Sequence, residues 1–314
     1  MARKPEYQTV NGLRVPLFFD PDIVRSAMEY LPEDSDIIVS SYPKCGASFV
    51  SQIVHLILRN GQQLYSADEY FTSIPLLEMV GIESLSYVQN PRCIKTYIPP
   101  GRLKYFHRGK YIYVARHFSD CVVSYYKHTK MLPAYFFTHG TFDDFLNLFV
   151  KGEIGYGDYF DHFTSGWGKC RWRSDALFIT YESLTANPKD TILKIARFLG
   201  EGYRQILLNS NEKVLKEILF FSSSYMRCTV DDFWQEMFFD KLLSGKCKIH
   251  FPIAKKYVSV MKESETKGHY SINTLDEIIL SEESTKILDK RLAHFEDWHR
   301  NFNSLYLRKK QLTV

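Results

Sequence analysis

The sequence predicts an α/β fold: a single domain with a central parallel sheet flanked by helices and a P-loop-like, anion-binding turn after its first buried strand. Three observations carry this reading. Asp36 to Leu58, DIIVSSYPKCGASFVSQIVHLIL, reads as a buried strand (Ile37 to Ser40), a polar turn through Pro43, Lys44 and Gly46, and an apolar helix beginning near Ser48. The segments KYIYVARHF and DALFITYESL repeat the buried-strand pattern, each with a helical segment after it, and a strand, crossover, strand succession implies parallel pairing with helices on both faces. The 314 residues, 45% of them hydrophobic, suffice for one large core, and no Pro/Gly/Ser-rich linker or shift in charge marks a boundary.

The elements follow in order. GLRVPLFF is a lead-in strand, and Asp20-Pro21 starts a first helix whose Ile23, Val24, Ala27 and Leu31 recur at helical spacing. In the next helix Phe49, Val50, Ile53, Val54, Ile57 and Leu58 form the apolar face, Asn60-Gly61 ends it, and His55 falls off that face, on the exposed side. From Tyr65 to Asn90, Pro75 and Gly81 break short amphipathic pieces, a pattern compatible with a functional loop or lid. RCIKTYIPP is a short strand stopped by Pro99-Pro100, and the strand KYIYVARHF leads into a helix with Ser119 or Asp120 at its start. Aromatic-rich helices separated by Gly155 and Gly157 fill Met131 to Trp172. NPKDTILKIARFLG is a helix with Pro188 at its start and Gly200 at its end, and Ser281 opens a capping pattern in a mostly helical remainder.

A net charge of +4 without any Lys/Arg block argues against a nucleic-acid surface while leaving room for a small anion. The six cysteines stand apart, with no CxxC pair and no metal-ligand spacing, as expected of reduced thiols and no metal. MARKPEYQTV has no apolar leader core and no apolar run approaches a membrane span, so a cytoplasmic protein with no membrane partner is expected.

A turn that opens a helix gathers unpaired backbone N–H groups and the positive helix end, and Lys44 adds a full charge. Gly46 lets the backbone approach a ligand, and Ser48 can cap the helix or donate its hydroxyl to an anion. This is not the Walker arrangement, because Lys44 precedes the turn's only glycine. Since parallel sheets bind ligands at the carboxyl ends of their strands, the turns after Ser41, Thr96 and Ala115 converge on one crevice. They carry Lys44, Lys95 and Arg116, with Ser124 one helical stretch later, which suits a ligand with two separate phosphate groups.

Together these segments resemble the cytosolic sulfotransferases, which use 3′-phosphoadenosine 5′-phosphosulfate (PAPS) as sulfonate donor. SSYPKCGASF is similar to the family's 5′-phosphosulfate loop, YVARHFSDCVVSYYKH to its 3′-phosphate segment, and LFITYESLTANPKDTILKIARFLG to the strand and helix that follow, in order and at family-like spacing. By position the resemblance implies that Lys44 contacts the bridging oxygen and the sulfonate. Cys45, Gly46, Ala47 and Ser48 would form the 5′-phosphate loop, with Phe49 in place of the family's adenine-stacking tryptophan. It further implies that Arg116 and Ser124 hold the 3′-phosphate and that Tyr181 contacts adenine. Thr266-Lys267-Gly268 is the nearest match to the family's C-terminal Arg-Lys-Gly motif, with Lys267 and Gly268 as cofactor-binding residues. The resemblance allows a homodimer, although the family's dimerisation motif is not recognisable.

Two departures bear on the chemistry. Cys45 and Ala47 replace the loop's usual serine and threonine, removing side-chain donors but not the backbone cradle. Tyr97 stands where the family has its catalytic histidine, and a phenol with a pKa near 10 is a poor base at neutral pH. Lys44 and Lys95 favour its phenolate. The expected catalytic set is therefore Lys44, Lys95 and Tyr97, with Tyr97 either a perturbed base or a residue that positions an acidic acceptor. His107 and His162 are the candidate substitute bases, His162 the better of the two. The implied activity is transfer of a sulfonate to a hydroxyl or amine of a small, aromatic, phenol- or catecholamine-like acceptor. The competing reading is a protein that binds PAPS, its product or a small aromatic molecule with little turnover, since losing a general base typically forfeits about 10²–10⁴-fold in rate. A nucleotide kinase is disfavoured by the missing Walker pattern.

Overall fold

The computed structural model describes residues 4–104, 108–170, 172–209 and 212–221, with a few isolated positions beyond. Two short antiparallel strands, β1 (Tyr7–Val10) and β2 (Leu13–Pro16), open the chain around Asn11 and Gly12, both at positive φ, the backbone of a two-residue hairpin turn. Helix α1 (Pro21–Met28) follows, capped by the Asp20 carboxylate and started by Pro21. It buries Val24 and Ala27 but stops before Leu31, which is exposed, so the helical spacing read through Leu31 overruns the helix.

The central sheet consists of β3 (Asp36–Ser41), β4 (Arg92–Thr96), β5 (Lys110–Ala115) and β6 (Ala176–Thr180), all parallel in the order β4-β3-β5-β6. Every residue of β3 and β4 is buried, as expected of parallel strands covered on both faces, and the polar ones among them, Asp36, Arg92 and Lys95, are paired within the fold. The chain leaves β3 toward β4 through α2 (Ala47–Leu58) and leaves β5 toward β6 through α5 (Phe118–Met131), α6 (Phe142–Phe149) and α7 (Tyr159–Cys170). These connections diverge to opposite sides of the sheet, so a crevice opens at the carboxyl ends of β3 and β5. After β6 come α8 (Tyr181–Ala186), α9 (Pro188–Leu199), α10 (Glu201–Leu208) and α11 (Lys213–Phe221).

Several local expectations are corrected. DALFITYESL is not strand throughout: Thr180 ends β6 and its hydroxyl accepts from the Ser183 N–H, turning the chain into α8 at once. Helix α5 starts at Phe118, ahead of Ser119 and Asp120, with His117 at its N-cap position. His55 is buried, not exposed, because α9 and α11 cover the face of α2 that points away from the sheet. The region Tyr65 to Asn90 holds α3 (Ala67–Ser73) and α4 (Leu77–Val80), and its middle is core: Ile74, Leu76, Leu77, Glu78 and Met79 are all buried. Leu76 bridges Lys95 in parallel and the Lys95 N–H donates to the Pro75 carbonyl, so this segment covers the otherwise open edge of β4. His107, Lys267, Gly268 and the Ser281 capping pattern lie outside the described residues.

At the amino ends of β3 and β4, Asp36 faces Arg92 across the register. The Asp36 carboxylate is fully buried and accepts from Arg92 Nε at 2.7 Å, the Tyr30 hydroxyl at 2.5 Å and the Glu33 N–H at 2.8 Å. Removing it strips the largely buried Arg92 guanidinium of its buried carboxylate and leaves it only Glu33 Oε2 at 3.1 Å and the Tyr30 hydroxyl at 3.2 Å, so Asp36→Ala should cost on the order of 3 kcal/mol. A urea midpoint within experimental error of the parent would show that this ion pair does not secure the base of the sheet.

Candidate functional site

The crevice is built first by its turn. After Ser41 ends β3, Lys44 and Gly46 both take positive φ, 65° and 103°, and α2 begins at Ala47 with Gly46 as its N-cap and no side-chain cap. Ser48 therefore does not cap the helix. The first N–H groups of α2 have no intrahelical acceptor, and with the helix dipole they form an anion cradle. Around the turn accessibility alternates: Lys44, Gly46 and Ser48 are half-buried and reach the crevice, whereas Cys45, Ala47 and Phe49 are buried. Close packing keeps position 46 glycine, since a Cβ there would meet Tyr181 Cδ2 at 2.9 Å.

Arg116, immediately after β5, closes the other side. Its Nη1 donates to the Lys44 carbonyl at 3.1 Å, its guanidinium lies 4.5 Å from the centroid of the Tyr181 ring, and its own carbonyl accepts from the Tyr159 hydroxyl at 2.5 Å. The Arg116 Nε is buried without a hydrogen-bond partner, an orphaned charged donor of the kind an anionic ligand satisfies. Tyr181 in turn meets Phe49 edge to face at 6.2 Å. Ser124 is half-buried on the second turn of α5. One turn earlier Cys121 Sγ donates to the Pro43 carbonyl at 3.3 Å and lies 3.5 Å from Cys45 Sγ, which packs α5 against the underside of the turn. Lys44, Gly46, Ser48, Phe49, Arg116 and Tyr181 are thus brought together, with Ser124 on the helix that abuts them.

The third wall is the end of β4. Lys95 is fully buried, its Nζ donates to Ser48 Oγ at 3.1 Å, and it sits 5.4 Å from the Tyr70 ring centroid. Its pKa is lowered to about 8, chiefly by burial, with Glu78 opposing the shift and Lys44 adding a smaller contribution to it. Glu78 is itself fully buried and accepts from the Tyr97 N–H at 2.7 Å, the Thr96 hydroxyl at 2.8 Å and the Tyr156 hydroxyl at 3.3 Å. Burial raises its carboxyl pKa and these three donors hold it back. The Tyr97 carbonyl accepts from His162 Nε2 at 2.9 Å, so both ends of residue 97 are pinned, and its half-buried ring meets Tyr156 edge-on at 5.6 Å. Tyr156 adopts φ 65°, an uncommon conformation for a bulky residue, so backbone strain is held beside the crevice.

The hydrogen bonds around His162 decide its role. A carbonyl can only accept, so Nε2 carries the proton, and Nδ1 then accepts from the Tyr113 hydroxyl at 2.9 Å. Both nitrogens are engaged and burial lowers the imidazole pKa to about 4, so His162 is a strut beneath Tyr97 and not a substitute base. The residues missed in the sequence are Glu78, hidden in a region read as loop, and Tyr156, whose glycine neighbours were read only as a helix break. Among the described residues no group of three or more His, Cys, Asp or Glu side chains could hold a metal ion. No described helix is long and apolar enough to cross a membrane.

Comparison with known proteins is consistent along the chain. A profile of the sulfotransferase domain matches residues 34–265. Sulfotransferase 1B1 of the dog is 33% identical over 250 residues, covering 74% of this chain and 84% of its own. Sulfotransferase 1 family member D1 of the mouse is 32% identical over 275 residues, covering 81% and 92%. Among solved structures, mouse sulfotransferase SULT7A1 complexed with PAP superposes over 98% of both chains with a TM-score of 0.62 at 21% identity. A retinol dehydratase in complex with androsterone and inactive cofactor PAP covers 84% of this chain and 88% of its own with a TM-score of 0.53 at 19% identity. The chain belongs to the sulfotransferase family.

The buried imidazoles make stability depend on pH. Burial lowers His162 from 6.5 to about 4, and burial and then Arg59 lower His55 likewise. Between about 4 and 6.5 the unfolded chain binds more protons than the native one, so stability is complete above 6.5 and falls as the pH drops through this window. The loss should reach ~3 kcal/mol per histidine at its foot. Urea midpoints between pH 7.5 and 4.5 should fall accordingly, and because burial also lowers His128, His55→Gln should flatten the dependence by about a third. An equal slope in that variant would rule out His55 as a source.

Proposed function

Proceeding from membership of the sulfotransferase family, we propose that this protein transfers a sulfonate from PAPS to a hydroxyl or amine of a small aromatic acceptor, with phenols the best class. The observation that carries the proposal is the pairing of two cationic subsites across the crevice. The α2 N-terminus with Lys44 forms one, and Arg116, with its unpartnered buried Nε, forms the other beside Ser124. A nucleotide bearing separate 5′ and 3′ anionic groups satisfies both, and the Tyr181 ring stacked on Arg116 offers an aromatic surface for its base.

When bound, PAPS supplies an activated sulfonate on a good leaving group. The backbone cradle of α2 and Ser48 hold its 5′ end, and Arg116 and Ser124 hold its 3′-phosphate. Lys44, charged and half-buried at the mouth, stabilises the negative charge that develops on the departing phosphate oxygen. Lys95, tethered to Ser48, orients the sulfonate from below and becomes available to it when the hydroxyl turns. Tyr97, pinned at both backbone ends, sets the acceptor's position through its ring and hydroxyl, which favours an acceptor acidic enough to part with its proton readily. Binding without turnover is the second reading, favoured by the tyrosine at the position of the family's histidine.

Incubation with sulfur-35-labelled PAPS and a panel of phenols, catecholamines and steroids tests this directly. Label should pass to phenols, and Arg116→Ala should weaken nucleotide binding at least tenfold by calorimetry; binding without transfer to any acceptor would leave only the second reading. Tyr97→Phe should raise the acceptor KM several-fold while changing kcat less. A fall of about 10²-fold in kcat at constant KM would instead make Tyr97 the base.

A further inference from the structure

We propose that Glu78 is a positioning residue for sulfonate transfer, its carboxylate holding the end of β4 and Tyr156 in one register so that Lys95 meets the donor and Tyr97 the acceptor; the inference rests on the sulfotransferase reading above. Three consecutive residues at the end of β4 are gripped by one short stretch of chain. The Lys95 N–H donates to the Pro75 carbonyl at 2.9 Å, the Thr96 hydroxyl to Glu78 Oε2 at 2.8 Å and the Tyr97 N–H to Glu78 Oε1 at 2.7 Å. The Thr96 oxygen in turn accepts from the Ile98 N–H at 3.1 Å, so the hold of the carboxylate extends past the strand. From the other side Tyr156 brings its hydroxyl to the same Oε1 at 3.3 Å and its ring edge-on to Tyr97 at 5.6 Å.

These contacts reach the reacting groups themselves. Lys95 Nζ bonds Ser48 of the anion turn at 3.1 Å, and Tyr97, two residues later, takes its hydrogen bond directly from Glu78. A brace alone needs no charge here, because a neutral amide of the same length accepts the Tyr97 N–H equally well. Burying a full carboxylate is expensive, and what it adds over an amide is a fixed negative charge near the Lys95 ammonium. The groups about Lys95 are Glu78 from α4, Cys93 on its own strand and Lys44 from the turn after β3, with the Tyr70 ring of α3 and the Ser48 hydroxyl of α2 in contact. Burial pushes the Cys93 thiol up to about 12, so it is neutral, and of these groups Glu78 is the one that supports the ammonium. One carboxylate thereby serves both halves of the reaction. It keeps Lys95 cationic for the sulfonate and fixes residue 97 and Tyr156 on the acceptor's side, while no proton passes through it.

Two substitutions separate reach from charge. Glu78→Asp keeps the charge but withdraws it from residue 97, whereas Glu78→Gln keeps the length and one accepting oxygen but removes the charge. Glu78→Asp should raise the acceptor KM several-fold and lower kcat/KM by about 10²-fold, as a misplaced acceptor does. Activity needs the ammonium and is lost as pH rises through the Lys95 pKa of about 8, which sets the basic limb of kcat/KM for PAPS in the free enzyme. That limb should stay in place in Glu78→Asp and move to lower pH by about one unit in Glu78→Gln. Affinity for 3′-phosphoadenosine 5′-phosphate, held by the anion turn and Arg116, should be unchanged in both.

Parent kcat/KM in Glu78→Asp overturns the positioning role, an unmoved limb in Glu78→Gln overturns the role of the charge, and losses matched by lost nucleotide affinity make Glu78 a folding residue only. All three leave the sulfotransferase reading intact, since the parent transfers sulfonate normally. Should either variant fail to fold, Tyr156→Phe takes one donor from the carboxylate while keeping the ring against Tyr97. It should raise the acceptor KM, and a parent KM there overturns the positioning role. A parent that transfers to no acceptor overturns the sulfotransferase reading and the role of Glu78 within it. Independently of turnover, the Lys95 resonance in lysine-labelled protein, identified by its disappearance in Lys95→Met, should titrate at lower pH in Glu78→Gln than in the parent. A midpoint that does not move overturns the support of Lys95 by Glu78.

Discussion

Two adjacent strands of a parallel sheet, β3 and β5, send their following helices to opposite sides, and the site grows from the gap this leaves. Nothing in the gap can be satisfied by continuing the sheet. The turn after β3 must instead fold back beneath Arg116 and Tyr181, which requires positive φ at Lys44 and Gly46 and admits no Cβ at Gly46. A cradle of backbone donors is the direct consequence, because the chain enters α2 with its first N–H groups pointing into the gap and no capping side chain to take them. The loop's loss of side-chain donors at Cys45 and Ala47 matters little in this geometry. Both side chains face inward, where Cys45 packs against Cys121 and fastens the turn to α5.

The end of β4 solves a different problem, that of holding an ammonium and a carboxylate in a dry interior. Lys95 and Glu78 are both fully buried, and at short range in a poorly polarisable medium their charges matter more than they would at the surface. They do not form a direct hydrogen-bonded pair. Glu78 is occupied by donors from Thr96, Tyr97 and Tyr156, and Lys95 by Ser48, so each charge is stabilised by polar groups that belong to the site. Part of the structural task of these residues is therefore the same as their functional one: satisfying Glu78 fixes residue 97, and satisfying Lys95 ties the strand to the anion turn.

The legible parts of the chain were those where one physical signal dominates. Strands β3 and β5 carry the apolar centres Ile37–Val39 and Tyr111–Ala115, and α9 is bracketed by Pro188 and Gly200, so their positions follow from burial and backbone restriction alone. Convergence of Lys44 and Arg116 follows from parallel pairing, which puts the ends of β3 and β5 side by side. His55 was misplaced because an amphipathic reading assumes one wet face, whereas α2 is covered on both, and the second cover comes from helices more than a hundred residues later in sequence. Glu78 escaped for a related reason. Its segment has no periodicity of its own, and what makes it core is long-range packing that no local pattern encodes, with the Leu76–Lys95 bridge on one side and α1 on the other.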